Sequence, residues 1–345
     1  MDHNAFFDLI KTGALPPCCL LEGPEEYVKR SAVETLKKKL LPAGLEEMNL
    51  TVLRDPDAET LIAAAETQPF LADRRLVLVQ RSALIESLQK AGSYDEGTAA
   101  QRLIEYLPHA PESCCIVFVA GEKADGRKKL TAWLKKQPGY VMFATLSDNE
   151  LNRWIAQSCK RLEKKITVSA AQKLVFSAGR DLTQLHNEIE KLAAYAGDRD
   201  EITDDDVEAV AIRTTAYRVY DLTGALTRGD SARAFALAAA LQKDGEEPLY
   251  LLALLQAECR RMLSAKLLRG AGLSPDAIAG KIGMPPFAAR QLCQSAAKYT
   301  EEQLKSMCAQ CMDTEYGVKS GRLPLTGALE KAMLLLLNVR GEKTV

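Results

Sequence analysis

Histidine is scarce in this chain. Only His3, His109 and His186 occur among 345 residues, and none stands in a nucleophile or metal motif. Gly-x-Ser-x-Gly, His-Glu-x-x-His and Gly-x-Gly-x-x-Gly are all absent, which removes the usual signatures of hydrolases, zinc proteases and dinucleotide enzymes. An excess of either charge is lacking too: 45 basic against 46 acidic residues leave a net charge of −1. A stand-alone DNA-binding protein normally carries a clear positive excess or stripe. Here Lys37-Lys38-Lys39, Arg127-Lys128-Lys129, Lys135-Lys136 and Lys164-Lys165 are short, scattered and read as solvated helix faces. No apolar run reaches the ~20 residues that a membrane span needs. Met1-Asp2-His3-Asn4 lacks the basic-then-apolar pattern of a secretory leader, so a cytoplasmic chain without membrane contacts is expected. Nine cysteines are present, but neither a second pair nor a suitably spaced histidine accompanies Cys308 and Cys311, and a zinc site needs about four ligands. Reduced thiols on buried apolar faces, and no zinc, are expected.

What is present is a soluble globular composition, 47% hydrophobic and 26% charged, in a chain long enough for two or three domains. Apolar runs at Cys18 to Leu21, Leu50 to Leu53, Leu76 to Val79, Cys114 to Val119 and Tyr140 to Phe143 alternate with helical patterns near 25–40, 57–67, 98–107 and 126–136. Strand-helix alternation with unbroken apolar strands predicts a parallel five-stranded sheet covered on both faces. From Ser147 onward the strands vanish. Ser147 with Glu150, and Thr203 with Asp206, are capping-box signatures. Helices are expected from Ser147 to about Glu163, at 167–178 and at 181–196, then from about Thr214 to the end. Natural cuts fall near 146 and 212, giving an αβ domain (1–146) and two all-α domains (147–212 and 213–345). Leu249 to Leu255 and Lys331 to Leu337 are apolar nearly all round, as in helices buried on several sides.

Gln68-Pro69-Phe70-Leu71 places two large apolar side chains in a turn. Pro69 cannot donate a backbone hydrogen bond and disfavours helical geometry at Gln68, so the helix over 57–67 should stop there. Phe70 and Leu71 then sit on a helix-to-strand corner, where they either fold back into the core or are displayed to a partner. The residues alone favour burial, because exposed apolar patches are uncommon on monomers.

Glu66 to Val77, which contains this corner, resembles the helix-turn-strand of the bacterial DNA polymerase III delta subunit family, clamp-loader subunits of AAA+-like fold. Leu20-Leu21-Glu22-Gly23-Pro24-Glu25-Glu26-Tyr27 resembles that family's first strand and turn, Gly179 to Leu192 its mid-chain helix, and Lys319-Ser320-Gly321-Arg322-Leu323 a late element. The resemblance implies that Gln68, Pro69, Phe70 and Leu71 form the wedge that grips the sliding clamp, with Phe70 and Leu71 as anchors. It further implies a helical lid at 147–212 and a helical collar at 213–345. The collar would assemble with the tau/gamma ATPase subunits and the delta-prime subunit. Primed DNA would be met inside that assembly, with Lys319 and Arg322 near it. No intrinsic catalysis is expected, although the family is filed under DNA-directed DNA polymerase, a nucleotidyltransferase.

The AAA+ layout invites a search for ATP chemistry. A phosphate loop should read Gly-x-x-x-x-Gly-Lys-Ser/Thr after the first strand. This chain reads Gly23-Pro24-Glu25-Glu26-Tyr27-Val28-Lys29-Arg30, without the second glycine and the Lys-Ser/Thr pair. Pro24 removes an amide donor, and Glu25-Glu26 would repel phosphate. Gln80 follows the third strand where a magnesium-holding carboxylate should stand. Thr183 occupies the place of the lid arginine in an Asp-x-Arg pattern, and no Ser-Arg-Cys motif occurs. Neither ATP nor magnesium is therefore expected as a cofactor. The alternative function is a helical DNA-binding regulator. Ser274 to Ala296 can be read as helix-turn-helix, but only Arg290, Gln291 and Lys298 would face bases, few for a recognition helix.

Overall fold

The computed structural model describes residues 1–88 and 94–341, so the last four residues of the expected 213–345 domain lie outside it. The chain divides into two compact units, Met1–Glu150 and the part from Leu151 onward.

The first unit is a parallel αβ sandwich. Its elements run α1 (His3–Thr12), β1 (Cys18–Glu22), α2 (Glu26–Leu40), α3 (Glu46–Asn49), β2 (Leu50–Arg54), α4 (Ala58–Glu66), β3 (Arg75–Gln80), α5 (Glu96–Tyr106), β4 (Cys114–Val119), α6 (Lys129–Leu134) and β5 (Tyr140–Met142). The strands lie in the order β2-β3-β4-β1-β5, every pair parallel. The five apolar runs are thus the five strands. Leu20, Leu76, Val77, Val79, Ile116 and Phe118 are fully buried, as strands covered on both faces require. Strand β2 departs from the expectation. It forms an edge, and Val52 on it is exposed. Helix α1 leaves no run of its own in the strand-helix alternation, yet its signals are ordinary. Asp2 caps it by accepting from the Ala5 amide, Phe6 and Ile10 are buried one turn apart, and Gly13 closes it in the left-handed region.

The second unit is helical with one exception. It comprises α7 (Asp148–Arg161), β6 (Lys165–Ile166), α8 (Val168–Ala178), α9 (Leu182–Ala196), β7 (Glu201–Ile202), α10 (Asp204–Val210), α11 (Thr215–Arg228), α12 (Ser231–Lys243), α13 (Pro248–Gly270), α14 (Pro275–Ile282), α15 (Pro286–Ala297), α16 (Glu301–Lys319) and α17 (Ala328–Gly341). The expectation of two purely helical domains needs correcting, since β6 and β7 pair in parallel over two residues each. Each strand ends one residue before a helix cap, Thr167 or Thr203, so the ladder ties together the starts of α8 and α10. The cut expected near 212 falls inside this unit. Phe176 on α8 packs edge-on against Tyr217, Tyr220 and Phe287. Helix α13 lies at the centre of the later core, burying Leu251, Leu255, Cys259 and Met262, while Tyr250 remains exposed. On α17, Ala332, Met333 and Leu336 are buried but Leu334 is exposed, so that helix is one-sided. All nine cysteines are buried free thiols, and Cys308 and Cys311 share one face of α16.

The box that opens α10 provides a stability test. The Asp206 carboxylate accepts from the Thr203 amide and hydroxyl at 2.8 and 3.0 Å and from Arg199 at 2.7 and 3.0 Å. The Arg199 guanidinium first, and then the Thr203 amide, hold its carboxyl at about 2, below its ordinary 3.8, against the opposing effect of burial. Asp206→Ala is expected to cost about 1–2 kcal/mol in urea unfolding at neutral pH, as lost caps do. The advantage of the native side chain is complete above pH 3.8 and should disappear as the pH falls toward 2, because the unfolded carboxyl takes up its proton first.

Candidate functional site

The helix ending at Glu66 stops as Pro69 requires, and residues 67–74 form an open corner before β3. Burial of Phe70 and Leu71, which the residues alone favour, is overturned: Phe70 is 49% and Leu71 76% exposed. Pro69 holds the pair off the helix, and Leu71 adopts φ +49°, the left-handed region that costs a non-glycine residue about 1 kcal/mol or more. Gln68 is exposed and Pro69 half-buried.

A shape of this kind needs support, and three polar side chains supply it. Asn49, the last residue of α3, is fully buried. Its Oδ1 accepts from the Phe70 amide at 2.7 Å, and its Nδ2 donates to the Phe70 carbonyl at 2.9 Å and the Leu45 carbonyl at 3.1 Å. The Arg75 guanidinium, at the start of β3, donates to the Thr67 carbonyl at 3.2 Å and to the Thr51 hydroxyl at 2.7 Å. Arg74 donates to the carbonyls of Glu112 and Leu15 at 2.8 and 3.1 Å. The register explains the meeting. Leu50 pairs with Leu76, so Asn49 and Arg75 stand side by side at the start of two adjacent strands. Beside Leu71 lies an open groove of about 690 Å³, lined by Leu41, Pro42, Asp73, Arg74 and Glu112 among others.

The opposite end of the sheet carries the degenerate phosphate loop. The corner precedes β3 and the loop follows β1, so parallel strands of five or six residues hold them about 20 Å apart. In this loop three backbone amides are already engaged. Those of Gly23, Glu25 and Glu26 donate to the carbonyls of Gly121, Phe143 and Pro24 at 3.4, 3.1 and 2.9 Å, and Pro24 has no amide hydrogen. Gly23 has φ +133°, and a Cβ there would lie 2.2 Å from the Phe143 carbonyl oxygen. The loop therefore lies closely against the backbone of Phe143.

Sequence reasoning overlooked Lys29, which stands at the lysine position of the phosphate-loop frame counted from Gly23. Its side chain is 1% exposed, and Nζ donates to the carbonyls of Gly23, Ala120 and Gly121 at 3.0, 2.8 and 2.9 Å and meets Glu26 at 2.6 Å. Glu22, just before the loop, is also buried. Its carboxylate pairs with Lys135 and accepts from Tyr140 and the Ala124 amide, which keep it ionised to lower pH against the opposing effect of burial. Gln80 ends β3 beside Arg54, and its carbonyl accepts from the Asp55 amide.

The remaining candidates lie in the second unit. Thr183 sits in the first turn of α9, where Asp181 is the N-cap, accepting from the Gln184 amide at 2.7 Å. Lys319 pairs with Glu315, while Arg322 pairs with Asp313 and lies over the Tyr316 ring. Both cations are thus partly neutralised by their own chain. In the helix pair α14–α15 the foremost base reader, Arg290, is tied to Asp276 at 2.9 and 3.1 Å, and Ala288, Ala289 and Leu292 are buried. Among the described residues no helix is long and apolar enough to cross a membrane, and no group of three or more His, Cys, Asp or Glu could hold a metal ion.

Two family models of the DNA polymerase III delta subunit match this chain, one over residues 20–144 and one, its C-terminal domain, over residues 216–336. Together they span more than two thirds of it. The chain belongs to the DNA polymerase III delta subunit family. A third model, described as a middle domain, matches residues 147–209. The delta subunit of Bacillus subtilis (strain 168) is 29% identical over 336 residues, covering 97% of this chain and 96% of its own. A probable delta subunit of Aquifex aeolicus (strain VF5) is 24% identical over 261 residues, 73% of this chain and 71% of its own. Among solved structures, the Bacillus subtilis DNA clamp loader delta protein superposes with a TM-score of 0.54 at 28% identity, covering 97% of this chain and 99% of that one. The stretch read as helix-turn-helix falls within the C-terminal family match, which takes the place of the regulator reading.

Proposed function

We propose that this chain is the clamp-loader subunit that grips the sliding clamp and favours its open ring, so that the ring can be placed on primed DNA. The observation that carries the reading is the displayed pair Phe70–Leu71, two large apolar side chains on a hydrogen-bonded corner of a delta-family chain. Such a pair suits an apolar pocket on the clamp, since a few apolar anchors commonly supply most of an interface's binding energy. Ring opening then follows if the pocket is better formed in the open or strained ring, because a ligand shifts an equilibrium only by its differential affinity. The tau/gamma ATPase subunits and delta-prime would meet the helical part of the chain from about residue 213 onward. They would supply the ATP chemistry and control access to the corner.

The same reading holds that this subunit binds neither ATP nor magnesium. The engaged amides of Gly23, Glu25 and Glu26, the missing donor at Pro24 and the carbonyl-bound Lys29 support it. Gln80 and Thr183 stand where a metal carboxylate and a lid arginine would be needed. The test is calorimetric titration of the full chain with its cognate clamp and, separately, with Mg-ATP, together with release of clamp rings from nicked circular DNA. Clamp binding with ring release, and no heat with Mg-ATP, are expected. No clamp binding, or micromolar ATP binding, would overturn the corresponding half of the reading.

A further inference from the structure

The corner carries two displayed side chains, but the feature that fixes how they are displayed lies beneath it. Asn49 is 21 residues from Phe70 in sequence and completely buried. Two of its three hydrogen bonds go to the two polar groups of a single residue, the amide and the carbonyl of Phe70. A side-chain amide used in this way imitates a neighbouring strand, offering one donor and one acceptor to a backbone that has no ladder partner. Only one orientation of the amide serves, because both partners of Nδ2, the carbonyls of Phe70 and Leu45, are acceptors. The two peptides held flank Phe70, and the second leads into Leu71, whose left-handed backbone an unsupported loop would readily leave.

We propose that Asn49 is the positioning residue of the clamp-binding corner, holding the Phe70 backbone so that Phe70 and Leu71 are presented in a binding-competent arrangement before the clamp arrives. The inference rests on the reading of the corner as the clamp-binding site. Its physical content is pre-organisation. Without the Asn49 bonds the corner samples other shapes, and apparent affinity falls by the fraction of time spent in the competent one.

The experiment uses the full chain, its cognate clamp ring and the variants Asn49→Ala, Leu71→Ala and the double Asn49→Ala/Leu71→Ala, with association and dissociation rates measured separately. For Asn49→Ala we expect about tenfold weaker binding, carried mainly by slower association at a nearly unchanged dissociation rate. Leu71→Ala, which removes an anchor, should instead speed dissociation. In the Leu71→Ala background, Asn49→Ala should have a much smaller effect, because its influence passes through the corner. If Leu71→Ala leaves binding intact, the clamp reading fails and the positioning role falls with it. If Leu71→Ala weakens binding while Asn49→Ala does not, or if Asn49→Ala costs as much in either background, the clamp reading stands and the positioning role is overturned. Hydrogen exchange on the unmodified chain provides a check that does not depend on the variant folding. The amide of half-exposed Phe70 should exchange as slowly as those of adjoining β3, and exchange at the rate of an open loop would sink the proposal.

Discussion

Replacing both Phe70 and Leu71 with Ala is expected to weaken clamp binding by about 100-fold, close to 2.7 kcal/mol, while changing the stability of the free chain by less than about 1 kcal/mol. The two magnitudes separate because of where the side chains lie. Large-to-small changes in a core cost about 2–5 kcal/mol each, through lost transfer energy and the cavity left behind. Leu71 at 76% exposure has little of that to lose; Phe70 at 49% loses only part of a transfer energy of roughly 1.5–3 kcal/mol, and neither leaves an enclosed cavity. The backbone does not relax either, since Ala in the left-handed region is strained much as Leu is. Against a clamp pocket the balance reverses. Each anchor goes from water into an apolar site, and truncating a central anchor commonly costs about 2 kcal/mol or more, though such losses do not add fully. Leu71 should matter at least as much as Phe70, because more of it is free to be buried by the partner. Paired melts and clamp titrations decide the matter. A double variant that melts far earlier than the parent while its folded fraction binds normally would show that the pair stabilises the fold rather than the complex.

The parts of this architecture visible in the sequence are those set by local pattern. Unbroken apolar runs gave all five strands of the sheet, and Ser147–Glu150 and Thr203–Asp206 marked helix starts that hydrogen bonds confirm. Pro69 marked the helix stop. Where register or distance intervenes, local pattern is silent. Nothing in Leu50 to Leu53 shows that this strand is an edge with Val52 exposed, because strand order is decided by pairings across the whole unit. Two-residue strands such as β6 and β7 are too short to leave a period. The display of Phe70 and Leu71 was open for the same reason. Its supports, Asn49 and Arg75, come from separate segments that only the pairing of β2 with β3 brings together. Lys29 differs from these. Its place in the phosphate-loop frame could be counted from Gly23, but the missing glycine and hydroxyl partner drew attention away from a lysine whose ligands are its own chain.

That lysine carries the second large effect. Lys29→Met should lower the stability of the full chain by roughly 3 kcal/mol or more in urea unfolding. Met is of similar length and fills the space, so little cavity cost enters. What is lost is the donor shared by the carbonyls of Gly23, Ala120 and Gly121, at 2.8 to 3.0 Å, where β1 and β4 end. The Gly121 carbonyl keeps the Gly23 amide, but those of Gly23 and Ala120 lose the lysine at about 1–3 kcal/mol each, and water has no easy route to a side chain 1% exposed. The Glu26 bond adds little, because that carboxylate is well exposed and water can replace the lysine. The same variant tests what the loop has become. In a working phosphate loop the lysine serves the ligand, so excess Mg-ATP would raise the unfolding midpoint of the parent by mass action and would do less for Lys29→Met. Here the lysine serves the fold. Mg-ATP should move neither midpoint, and Lys29→Met should unfold at clearly lower urea. An unchanged midpoint for Lys29→Met would show that the three carbonyl bonds contribute nothing net. An ATP-dependent rise confined to the parent would return Lys29 to the role of phosphate ligand.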